Sequence, residues 1–206
     1  MRKFLMIARP NVRAALGAAL LMLANSGAAT ELCATKGDNY IQDADFALEA
    51  ADVRSRFWTR AQHAGERSFE ATFDEGVLTI KKVDIQPWYY FRQRIDAEEL
   101  QGKTLAFTAE MELDLTEPAV PAFDVVGGGL YVAVRSSSRK MLLQSELENE
   151  PRIGKTDWTP MQYVFKVHPR ATSIEVAFAH IAEGSMRVRN PSLMEVNLKK
   201  PECELP

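Results

Sequence analysis

Hydrophobic and polar residues alternate most clearly over positions 104–115. Leu105, Phe107, Ala109, Met111, Leu113 and Leu115 fall on one face, and Thr104, Ala106, Thr108, Glu110, Glu112 and Asp114 on the other. A period of two sustained over this length predicts a strand with one buried and one wet face. The run before it, 88–95, alternates as well. Tyr89, Phe91, Gln93 and Ile95 share one face there, and Trp88, Tyr90, Arg92 and Arg94 share the other. A helical turn is expected over 96–101, ending in Gly102-Lys103, and the two runs are expected to pair as the start of a sandwich.

The remaining chain reads in the same short units. Positions 30–45 form a polar arm, and 43–56 hold a short helix or an irregular first strand. Segments 69–73 and 77–83 predict a hairpin across Asp74-Glu75-Gly76, where glycine supplies the positive φ of a tight turn. Positions 116–129, with Pro118, Pro121 and Gly127-Gly128-Gly129, read as a loop. Leu130, Val132 and Val134 then alternate with Tyr131, Ala133 and Arg135, followed by a turn at 136–139, a short strand at 140–144 and an acidic connection at 145–155. Met161, Tyr163, Phe165 and Val167 mark one strand face, and Ile174, Val176, Phe178 and His180 the next. Two last pieces, 186–189 and 193–196, are split by Asn190-Pro191. Short strands with frequent turn signals and little helix predict an all-β antiparallel jelly-roll β-sandwich. No internal repeat is present.

The N-terminus changes this picture by adding a leader. Arg2, Lys3, Arg9 and Arg13 occur with no acid, then the apolar run 14–24, then Asn25-Ser26-Gly27-Ala28-Ala29. This is the layout of a secretory signal peptide, residues 1–29, cleaved near Ala28 or Ala29 and followed by one domain over 30–206. The apolar run is short of the ~20 residues that span a bilayer, and Leu32 before Cys33 disfavours lipid attachment. Cleavage removes four positive charges, taking the net charge from −3 to −7. An acidic exported chain is a poor nucleic-acid binder, because phosphates demand clustered Lys and Arg. It is equally unsuited to anionic membranes. The expected location is periplasmic or secreted.

The chain has two cysteines, Cys33 and Cys203. In an oxidising compartment they predict one disulfide. It closes a loop of roughly 170 residues, for which chain entropy gives at most about 5 kcal/mol, and it requires the first and last strands to be neighbours.

Positions 152–197 carry Ile153-Gly154 with Thr156 and Trp158, then a strand, a proline-containing turn, an alternating strand, a Gly turn and a closing strand. Gln93 and Ile95, then Leu100, Gly102 and Lys103 before a long strand, agree in the first half. Together these resemble galactose-binding-like jelly rolls, including the carbohydrate-binding modules. The resemblance implies a β-sandwich and glycan binding. Where such modules carry an Asp pair in the closing strand, this chain has Asn190-Pro191-Ser192; calcium prefers carboxylate oxygens, so no metal or other cofactor is expected.

Candidate chemistry divides three ways. The face Trp88, Tyr90, Arg92 and Arg94, continued across a neighbouring strand by Tyr131 and Arg135, mixes flat aromatics with donors and suits a non-catalytic glycan-binding surface. Alternatively Trp88 and Tyr90 cover the core edge, the arginines pair with Glu110 or Glu112, and the domain is a structural or protein-binding one in the periplasm. Third, Glu146, Glu148 and Glu150 are similar to the acidic strand of laminarinase-like glycosidases, with Glu148 where Asp is expected. Glu146 and Glu150 would then supply the carboxylates, about 5 Å apart, of a retaining enzyme. No zinc, P-loop or Gly-x-Ser-x-Gly motif is present. His63, His168 and His180 share no ligand spacing, and His180 is expected as a hydrogen-bonded strand-end residue.

Overall fold

In the computed structural model, residues 33, 35–51, 57–145 and 152–196 are described. The expected leader, the 146–150 acids and Cys203 lie outside them.

Among the described residues eleven strands form. They are β1 (Thr35–Lys36), β2 (Trp58–Gln62), β3 (Phe69–Asp74), β4 (Val77–Lys82), β5 (Tyr89–Asp96), β6 (Thr104–Thr116), β7 (Gly127–Arg135), β8 (Met141–Gln144), β9 (Gly154–Lys166), β10 (Ser173–Ile181) and β11 (Glu183–Val196). One helical turn, α1 (Ala47–Ala50), precedes β2. The strands make two antiparallel sheets, ordered β3-β4-β11-β6-β9 and β2-β5-β10-β7-β8, with β1 added beside β11. The predicted all-β sandwich is present.

The alternation expected over 104–115 is β6 itself. Leu105, Phe107, Met111, Leu113 and Leu115 are buried. The predicted parity of 88–95 also holds, with Tyr89, Phe91 and Gln93 buried and Trp88, Tyr90, Arg92 and Arg94 on the outer face. The two runs do not pair, however. β5 belongs to the five-stranded sheet and β6 to the six-stranded one. Their link, a 3-10 turn at Glu98–Leu100 followed by Gly102 at φ 78°, carries the chain across the sandwich instead of folding it back. Leu100 is buried against the core as the link passes.

Between the sheets, Trp58 is fully buried and stacked on Phe91 (centroids 5.1 Å apart) and Phe178 (5.6 Å). Its Nε1 donates to the Asp43 carbonyl at 3.1 Å, so its one polar atom is satisfied. Phe46 reaches the same cluster from outside the strands, at φ 57°, held by the Asp43 carboxylate accepting the Leu48 and Glu49 amides.

Two expected breaks are absent. Gly127-Gly128-Gly129 is the start of β7, not a loop. A Cβ on Gly128 would sit 2.7 Å from Leu115 Cδ1 and 3.2 Å from Met186 Sδ, so bulky neighbours use the space that glycine leaves. Likewise β11 runs through Asn190-Pro191 as a bulge between Arg189 and Ser192. Proline lacks an amide for the ladder, and a bulge is where a strand tolerates it. Asn190 takes φ 52° there and donates its Nδ2 to Glu110. β9 begins earlier than expected, at Gly154.

The first and last described strands meet. Thr35 pairs with Val196, and the Cys33 amide donates to Gln162 Oε1 at 2.7 Å. Among the described residues no cysteine is free.

Candidate functional site

The outer face of the five-stranded sheet collects all six residues expected of the binding surface. β10 runs along its middle and presents Ser173, Glu175, Ala177 and Ala179, small residues apart from the glutamate. β5 lies on one side and β7 on the other. Tyr90 is opposite Ala179, Arg92 opposite Ala177 and Arg94 opposite Glu175. Tyr131 is opposite Ala177 and Arg135 opposite Ser173. Tyr131 and Arg135 are therefore one strand further from β5 than the sequence suggested.

That extra strand has a steric consequence. Strands two apart are about 9.6 Å apart at the backbone, yet the Tyr90 and Tyr131 ring centroids are 5.0 Å apart. The rings thus lean over β10 and meet above Ala177 and Ala179, both fully buried although they point outward. Trp88 extends the row, 5.3 Å from Tyr90 with planes tilted 53°. His63 abuts Trp88 edge-on at 6.3 Å and is held through Nδ1 by Gln86 Oε1 at 3.0 Å. Trp88, Tyr90 and Tyr131 are each half-buried, so part of every ring is open to solvent. Burial raises the Tyr90 pKa, helped by Tyr131 and Glu175. Burial, with Glu175, raises that of Tyr131 too. Both hydroxyls stay protonated and able to donate.

Below the aromatic row the face is charged. Arg92 Nη1 binds both Glu175 carboxylate oxygens, at 3.4 and 3.2 Å. Arg94 Nη2 donates to Ser173 Oγ at 3.2 Å. The expected alternative pairing of these arginines with Glu110 or Glu112 does not occur, because those acids lie on the other sheet. There Arg189 and Arg187 each bind them at 2.6 Å. Trp158 lies under the same two guanidinia, 4.3 and 5.2 Å from its centroid. Those hydrogen bonds from Arg189 and Asn190 lower the Glu110 pKa.

Sequence reasoning missed Glu175, Ser173, Ala177 and Ala179. It read β10 only through its inward set, although the outward residues follow from the same alternation. It also left open how His180 is satisfied. That residue is fully buried, with Nε2 at 3.3 Å from the Gly184 carbonyl and Nδ1 without a partner. Desolvation pushes its pKa down to about 4. Nearby, Tyr89 Oη also finds no hydrogen bond of good geometry. Burial raises the Tyr89 pKa to about 12 against the pull of Arg60 and Arg67.

Two of the cavities lined by described residues lie off this face. One of about 780 Å³ is lined by Glu117, Phe123, Asp124 and Ile153, beside the β6–β7 connection. The other, about 380 Å³, opens at the sandwich edge between Arg60, Arg67, Phe69 and Tyr89. Among the described residues no group of three or more His, Cys, Asp or Glu is gathered as a metal site, and no helix is long and apolar enough to cross a membrane.

No family model and no curated protein matches the sequence. Solved structures do. The bacteriophage CBA120 tailspike protein 4 enzymatically active domain is similar at 14% identity and TM-score 0.55, over 77% of this chain and 21% of that one. The chain therefore spans about a fifth of that protein's length. A carbohydrate-binding module, described as "CBM4 structure and function", is similar at 12% identity and TM-score 0.50, over 75% of this chain and 99% of the module. In fold, the chain is a jelly-roll β-sandwich similar to carbohydrate-binding modules.

Proposed function

We propose that this chain is an exported, non-catalytic module that binds a carbohydrate on the outer face of its five-stranded sheet. The observation that carries the reading is the tilted row Trp88–Tyr90–Tyr131, half-open to solvent, with Arg92, Arg94 and Arg135 beside it. Sugar rings present C–H faces that stack on aromatic planes, while their hydroxyls need donors and acceptors at the rim. Successive rings 5.3 and 5.0 Å apart are about one pyranose width from each other. The protonated tyrosines and the arginines supply donors, and Glu175 supplies an acceptor.

The same reading includes a leader over 1–29, a periplasmic or secreted mature domain, and a Cys33–Cys203 disulfide. Support for the last comes from β1 lying against β11, which brings Cys33 beside the end of the final strand. A binding role is favoured over catalysis because Glu175, the acid in the middle of the face, is engaged by Arg92. The test is affinity electrophoresis through gels containing a panel of neutral and acidic polysaccharides, with wild type beside Trp88→Ala and Tyr131→Ala. Retardation of the wild type that both substitutions weaken is expected. A wild type that no glycan retards rejects the reading.

A further inference from the structure

The two outer faces of the sandwich treat their cations differently. On the six-stranded sheet Arg187, Arg189 and Lys155 face Glu112, Glu110 and Asp114 at 2.6, 2.6 and 3.6 Å, so cations and carboxylates cancel. On the outer face of the five-stranded sheet one such pair forms among the described residues, Arg92–Glu175 at 3.2 Å; the Arg60–Glu49 pair of β2 lies on the inward side of that strand. Arg94 and Arg135 have no carboxylate partner among the described residues. They flank Ser173 diagonally across β10, about 10 Å apart across the strands and roughly 7 Å along them at the backbone. Arg94 is bonded to the serine, and Arg135 stands directly opposite it on β7, within reach of a side chain of that length. Asp96 is the opposing acid in the Ser173 row, and its Oδ1 is turned back to accept the Glu98 amide at 2.9 Å. Arg139 and Lys140, both exposed, follow in the β7–β8 turn. A chain whose formal net charge is −3 thus gathers, at one end of its aromatic row, positive charge that no carboxylate among the described residues pairs with.

We infer that the ligand of this face is an acidic saccharide, with a ring carboxylate of a uronic acid held between Arg94 and Arg135. The inference rests on the glycan-binding reading and adds the ligand class to it. Guanidinium binds carboxylate through two parallel N–H donors, which fixes orientation as well as charge. Ser173 is buried, and its Oγ accepts from Arg94 Nη2, which holds that guanidinium in place. Tyr131, four residues before Arg135 on the same face of β7 and about 13 Å along it, lies where a neighbouring sugar ring of the same saccharide stacks. The Arg92–Glu175 pair fills the middle of the face, so the charged grip lies at the Ser173 end and the aromatic grip toward Trp88.

The experiment measures binding of the exported protein to polygalacturonate, to the same polymer with its carboxyls reduced to alcohols, to neutral xylan and to single-stranded oligothymidylate. Arg94→Gln/Arg135→Gln is the test variant. Lys81→Gln/Lys155→Gln removes equal charge from the other sheet. Polygalacturonate binding is expected to weaken about tenfold or more in the test variant, to fall on carboxyl reduction and with added salt, and to persist in the control variant. Equal binding of the reduced polymer or xylan, or no effect of the test substitutions, overturns the acidic ligand while the glycan reading stands. Oligothymidylate binding tighter than any saccharide overturns both, as does binding to none.

Discussion

His180 makes stability depend on pH between its ordinary pKa of 6.5 and about 4. It lies at the end of β10, fully buried, edge-on to Phe69 at 5.2 Å and opposite Tyr89. The Lys82–Glu183 ion pair is the charged pair that acts on it. Desolvation is the main cause of a pKa near 4 against an ordinary 6.5, so the folded protein holds this ring neutral. The unfolded chain takes up a proton as pH falls below 6.5 and the folded protein does not. Stability contributed by the neutral ring is therefore complete above 6.5 and is lost progressively down to about 4. The slope reaches about 1.4 kcal/mol per pH unit and the total loss about 3 kcal/mol. Replacing the ring by His180→Phe removes the titration. It also removes the unpartnered Nδ1, whose burial costs about 1–3 kcal/mol, and the Nε2 bond to Gly184, worth about 1 kcal/mol, so these partly offset each other at neutral pH. Urea unfolding followed by tryptophan fluorescence from pH 7.5 to 4 gives ΔG for both proteins. The difference between them is expected to shift toward the variant by about 3 kcal/mol across that range. Parallel curves refute the reasoning, because carboxylates such as Glu110 titrate equally in both.

Trp58→Ala is expected to destabilise by about 3–5 kcal/mol, since it empties the stack between Phe91 and Phe178 and leaves the Asp43 carbonyl with only the Phe46 amide as donor. Thermal melting checks this, and a loss under about 1 kcal/mol would place the ring outside the cooperative core. For the cysteines, intact mass of the non-reduced exported protein should be lower by two hydrogens than after reduction. Reduction should cost at most about 5 kcal/mol, and two free thiols in the exported form would dispose of the pairing.

The strands were legible where side chains carry the signal. β6 and the two faces of β5 follow directly from alternation, because a buried face excludes polar residues along its whole length. The partner of each strand was less legible. The 96–103 link has the same polar, glycine-bearing composition whether it reverses the chain within a sheet or carries it across to the other, so β5 and β6 read as paired when they belong to opposite sheets. Glycines hide strands for a related reason: Gly127-Gly128-Gly129 has no side chains to alternate, and its place in β7 is set by Leu115 and Met186, which are distant in sequence. Asn190-Pro191 reads as a break until Glu110 and Asn39 are seen to hold it as a bulge. The site was legible as far as its aromatics and arginines. Its alanine floor was not, since alanine on a wet face becomes informative only when rings from both neighbouring strands are found above it.

The position of β11 bears on when this fold can form. It is the last described strand, yet it lies inside the six-stranded sheet, joining the β3–β4 hairpin to β6 and receiving β1. Until residues 183–196 are available, that hairpin has no bridge to the rest of its sheet. Apart from the β3–β4 and β7–β8 hairpins, every ladder joins strands that are not consecutive. Such a topology folds slowly and late, because long loops must close before their contacts form. A chain emerging N-terminus first therefore keeps this sheet open until residues 183–196 have been made, the condition under which a polypeptide can still be threaded across a membrane before it folds.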